Sequence, residues 1–152
     1  MAVIEVHGQG GDALQLAINS AAVGDIIHVY GDPALPYSGG INCTSKKLTI
    51  TGMNGRENCI IDGGHTYDEA TDTHSGNFCI RSIRNNESII ENFIIRNGCN
   101  NNDNGGGTID INVNNCIVEN CYANRGAGCY YGTVTNSIIR YNNTVNDGAG
   151  GC

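Results

Sequence analysis

The sequence predicts an all-β fold: a right-handed parallel β-helix (solenoid) of about four to five coils with a short N-terminal capping helix. Three observations support this prediction. Short segments repeat with a period of 20-odd residues, glycine-rich turns separate them, and residues that favour helices are scarce after residue 25. We expect one domain over residues 1–152, with the cap at 1–25 and the coils at 26–152.

The N-terminal segment has the pattern of an amphipathic helix. Asp12 stands at the N-cap position, and apolar residues follow at 14, 17, 18 and 21. A β-branched segment at 26–30 comes next and has the composition of a strand. A short helix laid across the first coil would cover both its apolar face and its free strand edges.

The coils are predicted from a six-residue segment that occurs three times and begins with asparagine. Its copies start 23 and 21 residues apart, at Asn92, Asn115 and Asn136. Each copy holds a pair of aliphatic residues, and the pattern leaves open which member of the pair faces inward. A further apolar column is predicted from residues just before the repeats: Ile50, Ile90, Val113 and Val134. Since one coil cannot bury its own apolar face, successive coils should stack with their strands in parallel.

The repeated asparagines Asn92, Asn115 and Asn136 predict a structural ladder at one corner of the solenoid. Asparagine tolerates left-handed backbone angles, and it therefore suits a sharp bend between two strands. Identical amides stacked along the axis can also hydrogen-bond to one another. A binding groove lined by asparagine is the alternative, and it has less support.

The segments "ALQLAINSAAVGDIIHVYGDPALPYSGGI", "LTITGMNG", "CIIDGG" and "IIRNG" resemble the cap and first coils of right-handed parallel β-helix proteins of the pectin-lyase-like superfamily. They are particularly similar to bacterial secreted or surface-anchored β-helix repeat proteins. The resemblance covers nearly the whole chain and implies the fold. It implies function only broadly, because that superfamily contains lyases, hydrolases, epimerases, adhesins and structural fibres.

Composition excludes several classes of partner and suggests a location. A net charge of −7 with eight Lys and Arg argues against nucleic acid and against anionic membranes. No apolar run reaches the ~20 residues of a membrane span. Eight cysteines suggest an oxidising compartment, and hence a secreted or cell-surface protein, although the first residues lack the pattern of a signal peptide.

The stacked turns suggest two disulfides, Cys129 with Cys152 and Cys99 with Cys121, because neighbouring coils lie ~4.8 Å apart. Buried free thiols are the alternative for these cysteines. Zinc ranks last of the three, since no CxxC spacing is present.

One irregular segment is the candidate ligand or ion loop. The first aliphatic residues of two copies, Ile60 and Ile94, are 34 residues apart, and the extra residues are rich in polar side chains. The candidate residues are Asp62, His65, Tyr67, Asp68, Glu69, Asp72 and His74. Oxygen ligands would suit calcium and the histidines a transition metal, but the spacing matches no known metal loop. A solvated polar loop is therefore the favoured interpretation, and no cofactor is predicted beyond this weakly supported calcium.

No catalytic constellation of a polysaccharide lyase or hydrolase is found, and no catalytic residue is assigned. The favoured hypothesis is a non-enzymatic extracellular or surface module with a structural, adhesive or carbohydrate-contacting role. The alternative is the N-terminal part of a polysaccharide lyase or glycoside hydrolase that acts on acidic polysaccharide. We also expect no cap after the last coil, hence either a fragment of a longer repeat protein or a unit that self-associates through its C-terminal coil.

Overall fold

The computed structural model describes residues 1–85, 87–146 and 148–150, and these form a parallel β-solenoid of about six turns. The fold class is confirmed, whereas the expected count of four to five coils was too low. The asparagine repeat is absent from the first coils, so the sequence periodicity did not count them. Sheet 1, defined below, has one strand in each of six turns.

Short strands account for almost all of the regular structure. The first turns contain β1 (Val3–His7), α1 (Ala13–Ser20), β2 (Ile26–Tyr30), β3 (Tyr37–Ser38), β4 (Ile41–Asn42), β5 (Thr49–Gly52), β6 (Ile60–Asp62), β7 (Thr66–Asp68), β8 (Thr73–Ser75) and β9 (Ile80–Arg81). The later turns contain β10 (Ile89–Glu91), β11 (Ile94–Arg96), β12 (Cys99–Asn100), β13 (Thr108–Ile109), β14 (Asn112–Asn114), β15 (Ile117–Glu119), β16 (Tyr122–Ala123), β17 (Cys129–Tyr130), β18 (Val134–Thr135), β19 (Ile138–Arg140) and β20 (Asn143–Thr144).

Strands at the same corner of successive turns form four parallel sheets. Sheet 1 has the order β1-β2-β5-β10-β14-β18, and sheet 2 the order β19-β15-β11-β6-β3. Sheet 3 is β12-β16-β20, and sheet 4 is β17-β13-β9-β4. Only β7 and β8, among the described strands, pair in antiparallel fashion.

The apolar columns lie in the register that the sequence predicts. Ile90 pairs with Ile50 on one side and with Val113 on the other, and Val113 pairs with Val134. In sheet 2 the second member of each aliphatic pair faces the core, since Ile61, Ile95 and Val118 are fully buried. The first members of the last three pairs, Ile94, Ile117 and Ile138, are more exposed.

The capping helix α1 is present and buries the face that its sequence pattern predicts. Leu14, Ala17 and Ile18 are buried, and the helix contacts β1, β2 and β4 at the start of the solenoid. Asp12 occupies the N-cap position, but its side chain makes no capping hydrogen bond. In the described part of the chain, no helix has both the length and the apolar character needed to cross a membrane.

Side-chain hydrogen bonds of Asn92 and Asn115 link successive turns at one corner of the solenoid. Asn92, Asn115 and Asn136 all adopt the left-handed backbone region, with φ of 61°, 49° and 49°. Asn115 Nδ2 donates to Asn92 Oδ1 at 2.8 Å, and Asn92 Nδ2 donates to the carbonyl oxygen of Gly52 at 3.0 Å. The third rung differs, because Asn136 Nδ2 lies 3.4 Å from Asn114 Oδ1.

Sheet 2 carries a column of alternating charge on its outer face. Arg96 Nε lies 2.9 Å from Asp62 Oδ2, and Arg140 Nε lies 2.7 Å from Glu119 Oε2. The register places these four residues in adjacent strands. The hydrogen bond and charge of Glu119 raise the pKa of Arg140. The column therefore consists of structural ion pairs.

Candidate functional site

The irregular segment forms a hairpin arm, which we define as residues 64–76. Strands β7 and β8 pair with each other, and no other strand of the described chain pairs with them. The neck of the arm is closed by a hydrogen bond of 2.9 Å from Asn77 N to Gly63 O. His65 N donates to Asn97 O at 2.8 Å, which fixes the start of the arm to the next turn of the solenoid.

The arm brings its two histidines into direct contact, and we call them the histidine pair. His65 Nε2 and His74 Nδ1 are 2.8 Å apart, and the ring centroids are 5.1 Å apart with an interplanar angle of 18°. A ring nitrogen lies roughly one ångström from its own centroid, so the two imidazoles must lie end to end. One nitrogen therefore donates an N–H to the lone pair of the other. In this arrangement the two lone pairs do not converge on a third point where a metal ion could bind.

The histidine pair stacks on the ring of Tyr122 of β16. Its ring lies nearly parallel to that of His74, at 10° with centroids 3.5 Å apart, and to that of His65, at 14° and 5.6 Å. The ring of Tyr67 also contacts that of His74, with centroids 4.6 Å apart and an interplanar angle of 30°. Tyr122 does not stand out in the sequence, because no local pattern links it to the arm about 50 residues earlier. Only the stacking of turns brings them together.

Two pKa values in the arm depart from their usual range. Burial, followed by the charge of His74, lowers the pKa of His65. A hydrogen bond of 2.9 Å from Tyr67 Oη to Asp72 Oδ1, together with the charge of that carboxylate, raises the pKa of Tyr67. Both shifts favour the neutral forms of His65 and Tyr67 near pH 7.

The structure gathers only part of the predicted ligand set. His65, Tyr67, Asp72 and His74 lie together, whereas Asp62 is held by Arg96, by Asn97 Nδ2 at 3.0 Å and by Gly64 N at 2.9 Å. The remaining two candidates, Asp68 and Glu69, are exposed on the arm. Within the described residues, no group of three or more His, Cys, Asp or Glu side chains is placed to hold a metal ion.

A shallow groove of about 550 Å³ runs along the outer face of sheet 1, across β10, β14 and β18. We call it the sheet-1 groove. Its lining residues come from three successive turns: Ile89, Glu91, Asn112, Val113, Asn114, Thr133, Thr135 and Asn136. Glu91 is fixed in it, since its carboxylate accepts from Thr51 Oγ1 at 2.8 Å and from Asn114 Nδ2 at 3.1 Å. The groove therefore presents preoriented amide, hydroxyl and carboxylate groups.

The expected disulfide between Cys99 and Cys121 is not formed. Cys99 and Cys121 are both buried free thiols. The register explains the difference, because Cys99 pairs with Tyr122 and Cys121 is thus displaced by one residue along the next turn. The second candidate pair includes Cys152, which lies outside the described residues.

The thiols pack as small apolar groups in the core. Burial raises the pKa of Cys43 and of Cys116 to about 11. Burial, with a hydrogen bond and the charge of Cys121, raises the pKa of Cys79. Such thiols are poor nucleophiles and poor metal ligands, since both roles need the thiolate.

These features define the chain as an all-β parallel solenoid that carries a hairpin arm and a polar groove on one sheet. Comparison with protein-family models, with curated proteins and with solved structures gives no match for this chain.

Proposed function

We propose that the chain is a non-enzymatic β-helix module of an extracellular or cell-surface protein, with a structural and adhesive role in which the sheet-1 groove contacts carbohydrate. The observation that carries the proposal is the groove itself, which repeats polar groups in register on three successive turns. Sugar hydroxyls are bound through such fixed donors and acceptors, while the partly exposed Ile89 supplies apolar contact beside them.

The chemistry of the groove favours binding over cleavage. Glu91 is the one carboxylate among its described lining residues, and its two oxygens already accept hydrogen bonds. Glycoside hydrolysis ordinarily uses two carboxylates, one on each side of the scissile bond. The alternative function, part of a lyase or hydrolase acting on acidic polysaccharide, receives no support from this arrangement.

The proposal includes membership of the pectin-lyase-like superfamily. The helix laid across the first turns, the parallel sheets and the left-handed asparagine corner support that assignment. An extracellular location is part of the same proposal.

We also propose that the last described turn associates with a second copy of this chain. Strands β18, β19 and β20 each have a parallel partner on one side only, within the part of the chain that the structure describes. Tyr141 and Val145 on this turn are 74% and 60% exposed, and Ile139 ends a core column. Free strand edges beside apolar side chains favour pairing with another chain.

Calorimetric titration with soluble oligosaccharides tests the carbohydrate proposal. Neutral β-linked glucose and mannose oligomers and oligogalacturonate would each be titrated into the protein. We expect Thr135→Arg, which fills the groove from an exposed position, to weaken binding at least about ten-fold, a loss of about 1.4 kcal/mol. Asn143→Arg is the matched control, since it adds the same charge to an exposed strand of sheet 3 in the same turn.

Equal weakening by both variants would place the binding elsewhere and contradict the groove assignment. Absence of binding to every oligomer would contradict the carbohydrate role altogether. Release of unsaturated or reducing ends from polygalacturonate would instead establish the enzymatic alternative.

A further inference from the structure

We propose that the histidine pair is a proton-sensitive contact that holds the hairpin arm against sheet 3 at neutral pH and releases the arm in acid. This inference goes beyond the proposed function and does not depend on it. It rests on the end-to-end geometry of His65 and His74 and on the position of the arm outside the parallel sheets.

Few contacts hold the arm to the solenoid. Its two strands bond to each other, and β7 is exposed along its whole length. At the neck, His65 N bonds to Asn97 O and Gly64 N bonds to Asp62 Oδ1. Beyond the neck, the described contacts with the solenoid are the ring contacts with Tyr122 and a hydrogen bond from Asn101 Nδ2 to the carbonyl oxygen of His74. The two imidazoles are therefore at the centre of the attachment, and their protonation state should affect it directly.

Protonation changes this contact in two steps. In the neutral pair one imidazole donates and the other accepts. A first proton leaves one donor and one acceptor, and the shared hydrogen bond becomes charge-assisted. A second proton removes the remaining acceptor, so two N–H groups on two cations face each other across 2.8 Å. The arm should thus survive the first proton and be repelled by the second.

The surroundings of the pair contain no other side chain type that ordinarily changes charge between pH 5 and 7.5. The titratable groups that face it are Tyr67 on β7, Asp72 at the turn of the arm and Tyr122 on β16. Cys99 of β12 lies beside the neck, next to Gly76, and burial raises the pKa of its thiol. The Asp72 carboxylate is engaged by the Tyr67 hydroxyl at 2.9 Å.

The sign of the pH dependence follows from the pKa of His65. Because its pKa is lowered in the attached state, attachment favours the neutral imidazole. The stabilisation is fully present above the ordinary histidine pKa of about 6.5 and is lost as the pH falls below it. The two protons belong to the pair as a unit, and because the attached pair keeps the first proton, release is linked to uptake of the second.

Hydrogen exchange measured by mass spectrometry tests the inference on the full chain. Protection of the backbone amides in 64–76, corrected for the intrinsic pH dependence of exchange, would be compared at pH 7.5 and pH 5.0. We expect protection of the arm to fall at least about ten-fold in acid, while protection of β14 and β15 in the core stays constant. The variant His65→Gln/His74→Gln cannot gain either proton, and its arm protection should change less than about two-fold over the same interval.

His28→Gln is the matched control, since His28 lies on β2 in sheet 1 and away from the arm. It should keep the full acid response. Constant arm protection in the unsubstituted protein would overturn the proposal, and so would an acid response that persists in the double variant. If the double variant does not fold, nitrogen-15 spectra of the imidazoles decide the matter: the proposal requires two coupled steps for His65 and His74, and two independent single-site titrations refute it.

Discussion

Near the hairpin arm, Gly98 is the position where an added methyl group should lower the stability of the solenoid most. A Cβ at this residue would overlap the carbonyl oxygen of Gly106, lie 2.5 Å from its carbonyl carbon and lie 3.1 Å from Cys79 Sγ. Carbon atoms in ordinary contact stand roughly 3.5–4.0 Å apart, so the backbones at 98 and 106 would have to separate by about an ångström. Backbone atoms cannot rotate away as a side chain can.

The expected cost of Gly98→Ala follows from that geometry. Overpacking of a close-packed core costs about 1–3 kcal/mol, and the rigid neighbours place this site at the upper end, about 3 kcal/mol. For a chain of this size the melting temperature should fall by roughly 6–12 °C. Separation of the backbones at 98 and 106 should also distort the 2.8 Å hydrogen bond from Tyr122 N to Gly98 O. Tyr122 in turn supports the histidine pair.

Urea denaturation followed by circular dichroism measures the change. Gly150→Ala is the control, because its Cβ would meet Ile139 Cγ2 at an ordinary 3.6 Å, and its unfolding free energy should stay within about 0.5 kcal/mol of the parent. The packing argument is wrong if the unfolding free energy of Gly98→Ala also stays within about 0.5 kcal/mol of the parent, with an unchanged slope against urea concentration. The backbones around residue 98 would then accommodate the methyl group.

Two further predictions concern the last turn and the thiols. Ile139→Lys should abolish concentration-dependent self-association in light scattering, since Ile139 ends the core column. The control Ile138→Lys, on the outer face, should leave self-association intact. A parent protein that is monomeric at high concentration contradicts the proposed pairing. The thiols of Cys43 and Cys116 should resist a thiol reagent until the protein unfolds. The free energy of unfolding should also decrease between about pH 9 and 11. In that range the thiols ionise in the unfolded chain, whereas in the folded protein their pKa is about 11. Rapid labelling of either thiol in the folded protein would refute that prediction.

The sequence was sufficient for those features that depend on the stacking of identical positions. The column at Ile90 and the hydrogen bond between Asn115 and Asn92 both follow from a repeat of 20-odd residues. Each is a contact between a residue and its counterpart one turn away, and a period in the sequence specifies such a contact directly.

The features that the sequence missed depend on lateral positions within a turn or on contacts between unlike segments. A slip of one residue at Cys99 separates two cysteines that periodicity had aligned. The contact of His74 with Tyr122 joins an insertion to a strand two turns later in the sequence order, and no pattern in either segment specifies it. Acidic residues that are close in sequence, such as Asp62 and Asp68, diverge because the hairpin carries one of them outward.

The hairpin arm also shows how this architecture absorbs extra chain. The register of β6 with β11 is the same as that of β11 with β15, although the first connection is longer by about half a turn. The insertion closes its own neck through Gly63 and Asn77, so the solenoid on either side is spared any rearrangement. That corner is consequently suited to grafting: a foreign peptide placed at the tip of the arm, near Glu69 and Ala70, would be displayed outside the parallel sheets without entering the fold.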